Sequence, residues 1–142
     1  MRDGVWVGLA ALFGLTAVAA GAFAVHGLQA QGDVRAAELV ETASRYQMWH
    51  ALAMLGCLAY GRGSRLPVWC WSTGILLFSF SLYALALGAP RAVGAVTPAG
   101  GSALLLGWAA LAWQAFRGDL EPRLPDRPPP ARSGDSGAPR RP

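Results

Sequence analysis

Charge is absent from three long stretches of this chain: residues 5–25, residues 66–90 and residues 92–116. A helix that crosses a bilayer needs about 20 mainly apolar residues, and each stretch is that long. The pattern predicts spans at about residues 5–25, 66–89 and 97–116. A fourth span is less obvious. Gly32-Asp33 reads as a helix start with Asp33 as N-cap, and from there to Tyr60 only Gly56 interrupts, which a helix in lipid tolerates. Glu41 and Arg45 stand four apart in the favourable order for an ion pair. The helix is expected to begin at the interface and to enter the membrane near Tyr46. Its apolar part, residues 48–60, is the shortest of the four and alone would be a marginal span. Two firm spans follow it closely and the charge distribution requires it, so a span is assigned at about residues 46–61.

Punctuation agrees with these limits. Gly61-Arg62-Gly63-Ser64-Arg65 reads as a tight basic turn. Gly88-Ala89-Pro90 closes the third span, and Thr97-Pro98 reads as N-cap and first position of the fourth helix. Trp69 and Trp71 stand near the start of the third span, where an aromatic belt is expected, and Trp108 and Trp113 lie towards the exit of the fourth. Small residues recur at helical spacing in the first span (Ala10, Gly14, Ala17, Gly21) and in the fourth (Gly100, Ala103, Gly107, Ala110). Such faces let helices approach closely in lipid. The first span has a rival reading as a secretory signal, since Ala22-Phe23-Ala24 matches an A-x-A cleavage site. Against it stand the length of the apolar run, an n-region of one Arg beside Asp3, and a packing face that a discarded signal has no need for.

Composition strengthens the membrane assignment. Hydrophobic residues make up 54% of the 142-residue chain and charged residues 14%, against roughly 25% charged in soluble domains. The exception is the tail. From Gly118 onward it holds seven of the ten prolines and no aromatic residue. It cannot bury a core, so residues 118–142 are expected to form a disordered Pro/Arg-rich cytoplasmic segment behind a four-span domain of residues 1–117.

All 12 basic residues are Arg, and the formal charge is +4. Nucleic acid is excluded as a partner. Half of the Arg residues lie from Arg117 onward, among acids, and no basic stripe with interleaved aromatics appears outside the apolar segments. Arg at span ends sets topology instead. Arg2, Arg62, Arg65, Arg117, Arg123 and Arg127 fall on one side, and Arg35, Arg45 and Arg91 on the other. The excess places both termini in the cytoplasm. Cys57 and Cys70 have no metal-ligand spacing and read as small apolar core residues.

Candidate chemistry concentrates at one place. His26 lies at the exit of the first span and His50 near the entrance of the second, so both are expected near the same membrane face. Tyr46 and Gln47 stand beside His50, and Glu41 and Arg45 lie further back on the same helix. Ionisable groups at membrane depth mark a functional hypothesis by default. Three readings compete for His26, Glu41, Arg45, Tyr46, Gln47 and His50. The leading one is structural, with rings and amides bonding across helices. Proton or solute handling is second, because His titrates near neutral pH, although no further buried acid continues a relay. Metal or haem ligation is third, because two His without Cys or more carboxylates are a poor ligand set. Ser72, Ser79 and Tyr83 share a face of the third helix, and Ser in spans more often bonds neighbouring helices than acts as a nucleophile. No nucleophile-elbow, HExxH, P-loop or dinucleotide fingerprint is present.

Several motifs in fixed order carry a resemblance: Gly21-Ala22-Phe23-Ala24-Val25-His26-Gly27-Leu28, the stretch from Glu41 to Leu52 containing Arg45-Tyr46-Gln47-Met48-Trp49-His50-Ala51, Leu77 to Tyr83, and Thr97-Pro98-Ala99-Gly100-Gly101 with Gly107-Trp108. Together they resemble the domain of unknown function 423 family, YgdD-like small four-helix membrane proteins, over about residues 5–116. The resemblance implies four spans and membrane residence, with no established activity and no catalytic residues to carry over. Ala24 and Phe80 stand where this family often has Gly, and the bulk of Phe80 is expected to loosen a close helix contact.

These readings give an all-α, integral membrane four-helix bundle. The expected function is that of a multi-pass inner (plasma) membrane protein, a non-enzymatic structural or accessory protein without cofactor or metal. Its expected partners are the lipid bilayer and either further copies of itself or another membrane protein. The alternative is a small transporter or proton-coupled carrier that uses the His/Tyr/Gln cluster.

Overall fold

The computed structural model describes residues 2–62 and 65–122. Four long helices make up most of them: α1 (Arg2–Phe23), α2 (Val34–Tyr60), α3 (Leu66–Ala86) and α4 (Thr97–Arg117). The architecture is an all-α, integral membrane four-helix bundle. Helices α1, α3 and α4, with the short turns that extend them, are long and apolar enough to cross a bilayer. The helices pack in chain order, α1 on α2, α2 on α3 and α3 on α4.

Helix α2 does not meet the same apolar condition by itself; its course is set by its neighbours. It lies between α1 and α3. Asp3 at the start of α1 is ion-paired with Arg65, the N-cap of α3. The turn that follows α2 is therefore level with the beginning of α1, and α2 traverses the same thickness as the helices on either side. At 27 residues it is about 40 Å long, more than the ~30 Å hydrocarbon layer. Arg35, Glu38 and Glu41 lie in the half away from that turn, and Arg45 is nearer the middle. A helix flanked on two sides also needs less apolar surface of its own than one that faces lipid all round.

The connection from α1 to α2 is almost wholly helical rather than a long polar loop. The path of α1 continues through a wide π turn (Ala24–Leu28) and a tight 3-10 turn (Gln29–Gln31). Gly32 then reverses the chain at φ 82°, a left-handed conformation that glycine adopts without steric cost. Asp33 Oδ1 accepts from the Ala36 N–H at 3.1 Å, so the expected N-cap is present. Thr97 behaves differently from its expected role. The 3-10 turn Arg91–Ala95 leads straight into α4, and Val96 is already in the right-handed helical region. Thr97 is thus inside the first turn, and its hydroxyl bonds Ser81 Oγ on α3 at 2.7 Å instead of capping.

Ala10, Phe13 and Ala17 of α1 and Ala24 of the π turn beyond it are all buried, with Gly21 against Ser44 of α2. Gly14, expected on this face, has no neighbour within 4 Å where a Cβ would sit. The core is formed by Ala10, Phe13, Ala51, Met54, Leu58, Val68, Trp71, Ile75 and Leu104. Helices α3 and α4 make the closest approach. A Cβ on Gly100 would come within 2.3 Å of the Phe78 backbone nitrogen. Gly74 lies under Leu104, and Gly107 under the Trp71 ring. Trp71 is therefore a core residue and not part of a belt, whereas Trp69 is 59% exposed and meets Trp6 edge-on at 4.6 Å. Phe80 loosens no contact: it is exposed and packs edge-on to Tyr83.

Beyond α4, Glu121–Pro122 pairs antiparallel with Gly61–Arg62, which holds the chain after α4 beside the α2–α3 turn. The remainder of the tail for which disorder is expected, residues 123–142, lies outside the described residues.

Candidate functional site

Two polar nodes occupy the middle of the helix array. The first is Gln47, which is fully buried. Its Nε2 donates to the Phe13 carbonyl at 2.8 Å and to Thr16 Oγ1 at 2.6 Å, both on α1. Its Oε1 accepts from the Tyr83 hydroxyl on α3 at 2.9 Å. One amide thereby ties three helices together, with both its donors and its acceptor engaged. Ser79 reinforces the α2–α3 contact by donating to the Ala43 carbonyl at 3.0 Å. Ser72 bonds back to Val68 within α3 at 2.8 Å and lies 3.6 Å from Met54 Sδ.

The second node is His50, also buried. The Trp108 indole N–H of α4 points at Nε2 at 3.1 Å. An indole nitrogen can only donate, so Nε2 accepts and the proton resides on Nδ1. Nδ1–H then donates to the Tyr46 carbonyl at 2.7 Å. Both ring nitrogens are engaged, and the ring is held between Tyr46, Trp71 and Trp108 at centroid distances of 6.1–6.5 Å. In this arrangement the imidazole has no lone pair for a metal and no open position for a proton.

The structure gathers only part of the expected cluster. Tyr46, Gln47 and His50 sit together on α2, but Gln47 faces α1 and α3 whereas His50 faces α3 and α4. Both are at mid-height, since Phe13 and Thr16 are central in α1 and Trp108 is central in α4. His50 is thus not near a span entrance. His26 is exposed on the π turn, 13 residues beyond Phe13, or about 20 Å further along the helix path. It does not join His50. Glu41 accepts from Gln29 Nε2 at 2.7 Å. Among the described residues no ion pair joins Glu41 to Arg45, and Arg45 is exposed. Also among the described residues, no group of three or more His, Cys, Asp or Glu could hold a metal ion.

Partners of the two nodes escaped the sequence reading. Thr16 stands in an apolar stretch and carries no motif, and Trp108, although part of the Gly107-Trp108 motif, was expected towards the exit of its span and not beside His50. The one available signal was chemical: a Trp in the middle of a span needs an acceptor for its N–H, and His50 was the nearest unassigned candidate. Beside this node a lateral cleft of about 400 Å³ opens between α2 and α4, lined by Tyr46, Trp49, His50, Leu104, Leu105 and Trp108 over Phe78. With the His50 nitrogens engaged, its surface is suited to apolar contact.

Comparison with known proteins agrees with residence in a membrane. Residues 20–101 match the family described as "Protein of unknown function (DUF423)". A UPF0382 membrane protein of Haemophilus influenzae is 42% identical over 113 residues, covering 77% of this chain and 91% of the relative. The UPF0382 inner membrane protein YgdD of Escherichia coli K12 is 40% identical over 114 residues, covering 76% and 86% respectively. A UPF0382 membrane protein of Staphylococcus saprophyticus is 37% identical over 117 residues, covering 80% and 98%. No solved structure matches.

Proposed function

The chain belongs to the DUF423 family, with UPF0382 inner membrane proteins among its relatives, and from that membership we propose that it is a non-enzymatic accessory protein of the inner membrane, acting by contact rather than by chemistry or transport. It is a multi-pass membrane protein, and its relatives carry no enzymatic name. One observation supports the proposal above the others. The polar side chains Gln47, His50, Ser79 and Tyr83 in the middle of the bundle are all engaged by other helices or by their own helix. A transport pathway needs polar groups that face a passage and exchange partners. The transporter reading needs His26 and His50 to act together, and the path of about 20 Å from Phe13, which accepts from Gln47 at mid-height, to His26 weighs against it.

Six Arg against three at the span ends support a cytoplasmic location for both termini. The outer faces of α1 and α4 expose Val5, Leu12, Leu15 and Val18, and Leu105, Leu106, Trp113 and Phe116. These faces suit lipid and either a second copy or another membrane protein.

Reconstitution of the full chain in liposomes loaded with a pH-sensitive dye tests the proposal. The expected proton flux equals that of protein-free liposomes. A flux above that level that disappears in His50→Gln would refute it and restore the carrier reading.

A further inference from the structure

Arg35 and Arg91 are 56 residues apart in the chain, yet both line one cleft of about 450 Å³ where the first turn of α2 meets the connection from α3 to α4. Leu39, Leu85 and Ala89 complete its lining. We propose that this cleft binds the phosphate of an anionic phospholipid, with the two guanidinium groups on the headgroup and the Leu39–Leu85 wall against the start of its acyl chains.

The electrostatics favour an anion. Both Arg side chains are exposed, and among the described residues no acid is ion-paired with either. Two cations directed into one cleft repel each other, and an anion between them reverses the sign of that interaction. A smaller continuation of about 240 Å³ shares Arg35, Leu39 and Leu85 and reaches Asp33. The Asp33 carboxylate caps α2, its Oδ1 accepting from Ala36, and among the described residues it forms no ion pair with either guanidinium group. Phosphate suits the pair because two planar forks can each bond it through parallel N–H donors.

Position and lining favour a lipid over a free phosphate. The cleft is at the end of α3, where Leu85 and the α3–α4 connection mark the edge of the apolar layer. Three of its five lining residues are apolar (Leu39, Leu85 and Ala89), a surface that a free ion would leave in contact with water and that a lipid covers. The site is on the face opposite Arg2 and Pro122, so the proposal holds whichever side of the membrane that face meets, and it is independent of the accessory role.

Native mass spectrometry of the full, delipidated chain in detergent tests this with two lipids of identical chains, dioleoylphosphatidylglycerol and dioleoylphosphatidylcholine. The expected result is about tenfold tighter binding of phosphatidylglycerol, the order of one charge-assisted hydrogen bond. The double variant Arg35→Gln/Arg91→Gln is expected to lose that preference, Arg91→Lys to retain part of it, and Arg45→Gln, on the same helix as Arg35 but outside the cleft, to keep it whole. Equal binding of the two lipids by the unaltered chain overturns the proposal, and this readout does not depend on any variant folding. A preference that persists in the double variant, or that is lost in Arg45→Gln, also overturns it. Complete displacement of phosphatidylglycerol by inorganic phosphate overturns the lipid as occupant.

Discussion

The Trp108 indole nitrogen is 3.1 Å from His50 Nε2, and that one contact fixes the tautomer of the only buried histidine and joins α4 to α2. It crosses the array where α3 separates the two helices for much of their length. In a layer without water, an indole N–H and an imidazole nitrogen each lack any other ready partner. Each therefore determines where the other lies.

Trp108→Phe should remove the donor and leave Nε2 without a partner, at a cost of about 1 kcal/mol. The double variant Trp108→Phe/His50→Leu removes both polar groups and is expected to be more stable than Trp108→Phe alone, because apolar replacement of both partners leaves nothing unsatisfied. Thermal unfolding in detergent, followed by circular dichroism, gives the comparison. A double variant less stable than the single would show that His50 contributes mainly through its bond to the Tyr46 carbonyl.

Gln47→Leu should be the more damaging change at the other node, since it leaves the Tyr83 hydroxyl without its acceptor and breaks two bonds to α1. A loss of about 2 kcal/mol is expected. Tyr83→Phe alone should cost about 0.6 kcal/mol, the average for a hydrogen bond between membrane helices. In the Gln47→Leu background, Tyr83→Phe should cost less than that or become favourable. A full double-mutant cycle measures this coupling, and additive effects would mean that the Tyr83–Gln47 bond does not operate in the membrane.

Gly100 and Gly14 offer a contrast within one chemistry. An added methyl at Gly100 meets the Phe78 backbone at 2.3 Å, and backbone cannot move aside, so Gly100→Ala is expected to cost about 3 kcal/mol or to abolish accumulation in the membrane. Gly14 has open space, and Gly14→Ala should be neutral or stabilising by about 0.5 kcal/mol through helix propensity. Expression level and melting temperature of the two variants should diverge in opposite directions from the parent chain.

Orientation is tested by fusions at the C-terminus. A fluorescent protein that matures only in the cytoplasm should be bright, and an alkaline phosphatase that folds only outside it should be inactive. The reverse pattern would place both termini outside.

The glutamine and histidine nodes also show where sequence reading stops. His50 and Gln47 stood out because polar side chains are costly in an apolar stretch, and the same reasoning grouped them with His26, Glu41 and Arg45 by proximity in the chain. The grouping failed for His26 because the connection after α1 stays helical to Gln31. It carries His26 outward, while α2 runs 16 residues from its own start before reaching His50. For Glu41 the partner is Gln29, across the hairpin, rather than Arg45 four residues on.

Spacing of charges along the chain determined three of the four helices, their approximate limits and residence in the membrane, because an uncharged run of about 20 residues has few other stable destinations; α2 was marked instead by its Asp33 start and by the lack of a break before Tyr60 other than Gly56. The Asp33 cap was legible for a similar reason: the interaction is local, between residues three apart. Which faces meet was decided only by the tertiary structure. A span that is apolar all round carries no periodic mark of its buried side, so its rotation is set by shape and by the few polar tips that need partners. Gly100 against Phe78, Gln47 between Phe13, Thr16 and Tyr83, and Trp108 on His50 are contacts of that kind. Each joins residues far apart in the chain, and each depends on a helix–helix distance that appears only when the bundle is assembled.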